Sequence, residues 1–236
     1  MADWKNPLAS TPGWIGEISN REAKAAVARQ LAQRLQPGDV VGVGSGSTAF
    51  LALEACAARA TNEGFTFTAI PTSLETAQSC VAFGVPVSSL AAVRPDWCFD
   101  GADEVDPQKR LIKGRGGACF REKLVWRACV GPQMLLVDQS KFVDALGSKF
   151  SVPVEVVPEA IMLVDERLRE VPGVTDVLVR PAGLGKDGPV LTEYGNLLLE
   201  VGFDVIAAGM EVTLEAIPGV VACGIFEGDD PEIVSA

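Results

Sequence analysis

The sequence predicts an α/β protein in two parts, a parallel sheet flanked by helices and a smaller α+β domain. Three observations predict it. Short apolar runs alternate with helical stretches through the first part of the chain, and several of those runs end on glycine-rich or acidic turns. After about Gly147 the order becomes strand, helix, strand, strand, helix. The 236 residues, 48% hydrophobic and 22% charged, suffice for one large or two small globular cores. The expected division is 1–147 with 221–236 as the larger domain, and 148–220 as the smaller one.

Ser19 and Glu22 have capping-box spacing, so a helix is expected over Ala23 to Leu35, ended by Gln36-Pro37-Gly38. Asp39 to Val43 is a short apolar strand, followed by Gly-Ser-Gly-Ser-Thr and a helix to about Arg59. Phe65 to Ile70 is a strand, Pro71-Thr72-Ser73 a turn, and Leu74 to Phe83 a helix. Trp97 to Phe99 is a buried strand that ends on Asp100; Cys119 to Val130 reads as a helix and Met134 to Val137 as a strand. This β–α alternation means a Rossmann-like parallel sheet with helices on both faces. Strands at Val154 to Val157, Val174 to Arg180 and Leu197 to Val201, with helices over Ala160 to Arg169 and Met210 to Ala216, follow the split β-α-β pattern of a ferredoxin-like domain. Val220 to Phe226 is a last apolar strand, able to close either sheet.

Composition excludes several classes. A net charge of −11 leaves no basic face for nucleic acid. A small anionic substrate needs only a local cluster of amides and cations, so it stays open. There is no histidine, so acid–base chemistry near neutral pH falls to carboxylates, Lys, Cys or Tyr194. The six cysteines form no C-x-x-C pair, and a Cys/His zinc site is impossible. They read as small buried hydrophobes. No apolar run reaches membrane-spanning length and the first 15 residues lack a signal-type apolar segment, so the expectation is a cytoplasmic protein away from membranes, with the plastid stroma left open.

Three turns carry candidate chemistry. Gly44-Ser45-Gly46-Ser47-Thr48 ends the first strand and opens a helix, so backbone N–H groups, hydroxyls and a helix N-terminus favour an anion there. It is not a Walker A loop, because no Gly-Lys-Ser/Thr ends it. Gly44-x-Gly46-x-x-Ala49 spells a dinucleotide fingerprint, but the next strand ends in Pro71-Thr72-Ser73, without the ribose-binding acid. A monophosphate fits better; a ligand-free tight turn is the alternative. Asp100-Gly101-Ala102-Asp103 starts where a buried strand ends, the side on which open parallel sheets bind ligands. Glu104 and Asp106 beside it read as solvated, and carboxylates by themselves make no specific metal site. Lys113-Gly114-Arg115-Gly116-Gly117 is a second anion-friendly loop, followed by Glu122 on the next helix. Carboxylates with a lysine on glycine loops suit proton transfer next to a carbonyl. Arg121, Lys123 and Arg127 leave a solvated surface role for Glu122 as the alternative, and Lys141 has the same alternative.

Five motifs in order resemble one family. GVGSGSTA, FDGADEVD, KGRGGACFREK, VDQSK and PGVVACGIF are similar to ribose-5-phosphate isomerase, type A, over about Ser19 to Phe226. The resemblance implies a Rossmann-like catalytic domain with a small α+β domain. It implies conversion of D-ribose 5-phosphate to D-ribulose 5-phosphate without metal or organic cofactor, in the pentose phosphate pathway and, in photosynthetic organisms, the Calvin cycle. It implies a homodimer or homotetramer. Position by position, it implies substrate binding by Ser45, Gly46, Ser47 and Thr48, by Asp100, Gly101, Ala102 and Asp103, by Lys113, Gly114, Arg115 and Gly116, and by Lys141. Lys24 matches a lysine near the phosphate, and Glu122 matches the proton acceptor. Lys113 would steady an enediolate oxyanion, while Asp100 and Asp103 handle hydroxyl protons.

Two departures stand out. Arg115 replaces a glycine common in the family, and Glu193 and Tyr194 change the family's TDNGN stretch to Thr192-Glu193-Tyr194-Gly195-Asn196, leaving the role of that turn open. Rival classes are a sugar-phosphate sensor, a coenzyme A transferase working through a glutamate, and an NAD-dependent oxidoreductase. The 18 residues before the first helix find no counterpart and are too few for a helix-turn-helix, and no extended basic groove for a coenzyme is evident.

Overall fold

The computed structural model describes Trp14, residues 17–183, Gly185 and residues 187–235. Its elements in chain order are α1 (Arg21–Ala32), β1 (Val40–Val43), α2 (Gly46–Glu63), β2 (Thr68–Pro71), α3 (Leu74–Ala82), β3 (Trp97–Asp100), β4 (Glu104–Val105), β5 (Leu111–Ile112), α4 (Cys119–Ala128) and β6 (Gln133–Val137). They continue with β7 (Val152–Val156), α5 (Ile161–Glu170), β8 (Val174–Val179), β9 (Leu197–Phe203), α6 (Met210–Glu215), β10 (Val220–Cys223), β11 (Ile225–Phe226) and β12 (Glu232–Ser235). The chain divides into two compact units: Met1–Gly101, Leu124–Ser140 and Pro231–Ala236 in the first, Ala102–Lys123 and Lys141–Asp230 in the second. The division read from sequence had instead placed 102–123, 141–147 and 221–230 with the larger domain.

The first unit is a five-stranded sheet in the order β12-β6-β3-β1-β2, and every pairing is parallel. Residues alternate across a strand, so each strand feeds two faces. Val41, Val43, Trp97, Phe99, Met134 and Leu136 join a core with Val27 and Leu31 of α1 and Leu53 of α2. The opposite face meets α4: a Cβ on Gly42 would lie 2.7 Å from Cγ1 of Val125, so only glycine lets that helix sit so close. Helices therefore cover both faces, as the β–α alternation predicted. Strand β12 was not anticipated; it extends the sheet beside β6.

The second unit holds a four-stranded antiparallel sheet, β10-β7-β9-β8, built from a β-α-β-β-α-β succession. Val152, Val154, Val156, Leu199 and Val201 pack on Val164 and Leu168 of α5 and Leu214 of α6. This is the ferredoxin-like arrangement expected. A second, three-stranded sheet, β11-β5-β4, carries the acidic and lysine loops.

Two local expectations fail for clear reasons. Helix α1 starts at Arg21 behind Asn20, which is left-handed at φ 52° and gives no side-chain cap. Ser19 makes no capping box; its Oγ accepts from Lys24 Nζ at 3.2 Å. The strand read over Val220 to Phe226 is cut at Gly224 into β10 and β11. Gly224 N donates to Pro153 O at 2.7 Å, and its carbonyl accepts from Lys113 N at 2.8 Å. A Cβ at Gly224 would lie 2.3 Å from Lys113 O. One apolar run thus serves both sheets of the second unit. No helix among the described residues is long and apolar enough to cross a membrane.

Candidate active site

In the first unit, the serine-rich turn is locked onto the end of β3. Gly44 N donates to Phe99 O at 2.8 Å, and Ser45 N donates to Asp100 Oδ1 at 3.1 Å. Gly101 N donates to the same oxygen at 2.7 Å. A Cβ on Gly44 would lie 2.2 Å from Asp100 Oδ1, so this approach requires glycine. Gly46 opens α2 at φ 85°, again a glycine conformation. Lys24 is buried on α1, and its Nζ donates to Ser47 Oγ at 3.0 Å. Lys24, Ser45, Gly46, Ser47, Thr48, Asp100 and Gly101 all lie in this unit. The lysine at its turn and the N-terminus of α2 together make a cationic, donor-rich setting for an anion.

The turn has a support that the sequence reading missed. Thr76 Oγ1 donates to Gly44 O at 3.0 Å, and Ser73 Oγ donates to Thr76 Oγ1 at 3.1 Å while accepting from Thr76 N. Both residues are buried. Ser73 followed three residues later by Thr76 ahead of an apolar run is a helix-start signal, so this pair was findable from spacing.

In the second unit, Lys113 and Glu122 form a buried ion pair with Nζ and Oε2 3.3 Å apart, and their side chains are 2% and 6% exposed. Glu122 is therefore not the solvated helix charge that composition allowed. Lys113 Nζ also lies 5.6 Å from the ring centroid of Phe226. The loop returns to α4 through Gly114, at φ 87°, where a Cβ would lie 2.2 Å from Cys119 Cβ. Arg115 N donates to Asp103 Oδ2 at 3.3 Å, and Asp103 N donates to Ile112 O at 2.8 Å. Ala102, Gly116 and Lys141 belong to the same unit, with Ala102 and Lys141 half-buried and Gly116 exposed.

Burial is the main influence on Asp103 and holds its carboxyl above the usual range; Lys113, the Arg115 N–H and Lys141 pull it back, and Glu122 pushes it up. Asp103, Lys113, Glu122 and Lys141 thus form one electrostatic cluster. Glu104 and Asp106, expected in water, are buried. Glu104 accepts from the N–H groups of Gly147, Lys149 and Phe150 at 2.6, 2.6 and 2.8 Å. Asp106 pairs with Arg110 at 2.7 Å. They anchor the acidic loop rather than line solvent.

Every residue from Cys119 to Lys123, the start of α4, has a fixed neighbour within the second unit. Cys119 Sγ lies 3.9 Å from Glu155 Oε2. Phe120 meets Tyr194 edge-on, with centroids 5.3 Å apart. Arg121 pairs with Glu193 at 2.9 Å. Lys123 pairs with Glu211 and Glu215 at 2.7 and 2.6 Å and lies 4.7 Å from the Phe226 centroid. Glu155 Oε1 accepts from Thr192 Oγ1 and Asn196 Nδ2, both at 2.8 Å. The Thr192–Asn196 turn, whose role the sequence left open, therefore holds the helix start that presents Glu122. Its two altered residues, Glu193 and Tyr194, make the direct contacts.

A parallel-sheet unit carrying a donor-rich serine turn, and a ferredoxin-like unit carrying a buried carboxylate–lysine cluster, are parts suited to an enzyme. The comparisons make this specific. A sequence model of ribose 5-phosphate isomerase A (phosphoriboisomerase A) matches residues 68–236. The chain is 45% identical over 210 residues to ribose-5-phosphate isomerase A of a Synechococcus species, covering 87% of this chain and 88% of that one. Ribose 5-phosphate isomerase A of Methanocaldococcus jannaschii is similar in structure, with a TM-score of 0.87 and 37% identity over 92% of this chain and 96% of that one. A D-ribose-5-phosphate isomerase solved in complex with phospho-erythronic acid gives a TM-score of 0.85 at 33% identity, with the same coverage of each chain. The chain belongs to the ribose 5-phosphate isomerase A family, and is an isomerase.

Two predictions follow from this geometry. A carboxyl held above its usual pKa keeps its proton more firmly in the folded chain than in the unfolded one. It costs stability above the folded-state pKa, and that cost vanishes below the unfolded value. Asp103→Asn should therefore raise stability at neutral pH, with the gain shrinking as pH falls through the carboxylate range; urea unfolding near pH 7 and about pH 3.5 reads the difference. Glu193→Ala should lower kcat by about tenfold with the fold retained, because a misplaced base loses rate steeply; steady-state kinetics with circular dichroism check it.

Proposed function

We propose that this chain interconverts D-ribose 5-phosphate and D-ribulose 5-phosphate through an enediolate, with Glu122 as the general base. The observation that carries this reading is the buried Lys113–Glu122 pair at 3.3 Å in the cluster with Asp103. Glu122 takes the C2 proton of the open-chain aldose and returns it to C1. As that proton leaves, charge develops on the carbonyl oxygen. Lys113, with amides of its glycine loop, neutralises it, and the lysine then trades part of its attraction to Glu122 for the oxyanion. Water is scarce around both side chains, which strengthens each of these interactions.

Asp100 and Asp103 handle the hydroxyl protons and assist ring opening. Only two residues, Gly101 and Ala102, separate them along the chain. Burial favours a proton on Asp103, which suits a group that must donate as well as accept. The phosphate is taken by the hydroxyls and amides of Ser45 to Thr48 with Lys24, whose Nζ already bonds Ser47 Oγ. Gly101, Ala102, Gly114, Arg115, Gly116 and Lys141 complete substrate binding. Binding energy from the non-reacting phosphate fixes C1 and C2 for the proton transfer. A phosphorylated sugar acid bound to a relative fits the same demand, a phosphate at one end and an oxyanion at the other.

The reading extends to the pentose phosphate pathway, and to the Calvin cycle in a photosynthetic host, with the protein cytoplasmic and assembled as a homodimer or homotetramer. Glu122→Gln tests the central assignment. Removing a general base costs on the order of a hundredfold to ten-thousandfold in rate. Turnover of ribose 5-phosphate should fall by that much while the variant still binds the sugar phosphate in an equilibrium titration; near-normal turnover would mean another base.

A further inference from the structure

Among the described residues, none meets Thr72 Oγ1 with a hydrogen bond, although Thr72 is only 2% exposed. A buried hydroxyl left unmet costs free energy that a valine of nearly the same shape would not. Such groups are rare in folded proteins, so this one calls for a cause. Thr72, Ser73 and Thr76 all supply hydroxyls at this edge of the first unit. Ser73 and Thr76 bond each other, and Thr76 Oγ1 donates to Gly44 O at 3.0 Å. The Thr72 hydroxyl is the one that the serine-rich turn does not use.

Sheet register shows where that hydroxyl stands. Strand β1 pairs in parallel with β2 and β3, so Val43 lies opposite both Pro71 and Phe99. One residue further, Gly44 falls level with Thr72 and Asp100. Thr72 N donates to Val43 O at 2.9 Å and Gly44 N to Phe99 O at 2.8 Å, which carries both ladders to that level. Residues level with one another in a sheet present their side chains to the same face. Asp100 uses that face, since a Cβ on Gly44 would lie 2.2 Å from its Oδ1. Thr72 stands on the other side of the glycine. The row Thr72–Gly44–Asp100 therefore brings a hydroxyl and a carboxylate to one face with no side chain between them. It does so at the carboxyl end of a parallel sheet, where open α/β sheets take ligands.

We propose that Thr72 is a further substrate-binding residue, whose hydroxyl bonds the same sugar hydroxyl that Asp100 serves. The proposal rests on the isomerase reading and adds a residue to it. A sugar hydroxyl can donate to the Asp100 carboxylate and accept from Thr72 Oγ1 at once, which aims its proton at the carboxylate. The ligand-free protein is then less stable than it could be, and the bound sugar relieves the unmet group. A site built in this way also discriminates against a ligand that lacks the hydroxyl.

The test compares the full chain with Thr72→Val and Thr72→Ser in three measurements: thermal unfolding without ligand, calorimetric titration with phospho-erythronic acid, and steady-state kinetics with ribose 5-phosphate. Thr72→Val should melt higher than the wild type, because it removes an unmet hydroxyl. It should nevertheless bind the acid about three- to tenfold more weakly and lose as much in kcat/KM, the scale of one neutral hydrogen bond. Thr72→Ser keeps the hydroxyl and should recover most of both losses. A Thr72→Val that binds and turns over like the wild type would overturn the proposal. So would a Thr72→Ser as impaired as Thr72→Val, since shape rather than the hydroxyl would then matter. A lower melting temperature for Thr72→Val would also overturn it, because the hydroxyl would then be bonded within the protein or to a resident water. A wild type that binds the acid without turning over ribose 5-phosphate would count against the isomerase reading alone, and the titrations would still decide the role of Thr72.

Discussion

The second unit depends on one constraint: Lys113 and Glu122 are kept out of water and face each other at 3.3 Å. A buried ion pair contributes little net stability, because desolvating each ion costs several kcal/mol that their attraction only partly repays. Its geometry must therefore be imposed by the surroundings. Gly114 turns the lysine loop tightly enough to touch Cys119, and Gly224 lets β10 and β11 pass against the Lys113 backbone. Phe226 presents its ring to both Lys113 and Lys123. The contacts from Cys119 to Lys123 leave the start of α4 little freedom. Such a pair pays in chemistry, since removal of either charge leaves the other buried and exposed to whatever substrate group can replace it.

The first unit solves a different problem with the same device, close backbone approach through glycine. Gly44 admits the Asp100 carboxylate, which then collects the N–H groups of Ser45 and Gly101. That carboxylate shapes the turn, while Thr76 fixes its carbonyl side and Lys24 supplies charge at Ser47. The turn thus offers oriented donors and one buried lysine, so a net charge of −11 is no bar to an anion there.

The parallel sheet and the ferredoxin-like succession were legible because apolar strands, glycine turns and helix periodicity agree locally. What was not legible is set by tertiary contacts. Strands β4 and β5 are two residues each, too short to carry a periodic signal, and they exist because β11 pairs with β5. Glu104 reads as a surface acid yet is buried, because three backbone N–H groups from 147–150 converge on it. Ser19 has capping spacing but bonds Lys24. Among candidate site residues, residue types and glycines pointed to Lys113, Asp103 and the serine turn, whereas Glu122, flanked by Arg121 and Lys123, took its role as proton acceptor from the family resemblance. Partners distant in sequence, Glu155, Thr192 and Asn196, had no local signature that tied them to α4.

The most direct measurement is the fate of deuterium in ribose 5-phosphate labelled at C2, followed by NMR with the wild type and Glu122→Gln. If Glu122 is the base, the wild type releases the label from C2, to C1 or to solvent, and the variant leaves it in place over a long incubation. Loss of the C2 label at a near-normal rate in the folded variant would contradict the account, since some other group would then be breaking that bond.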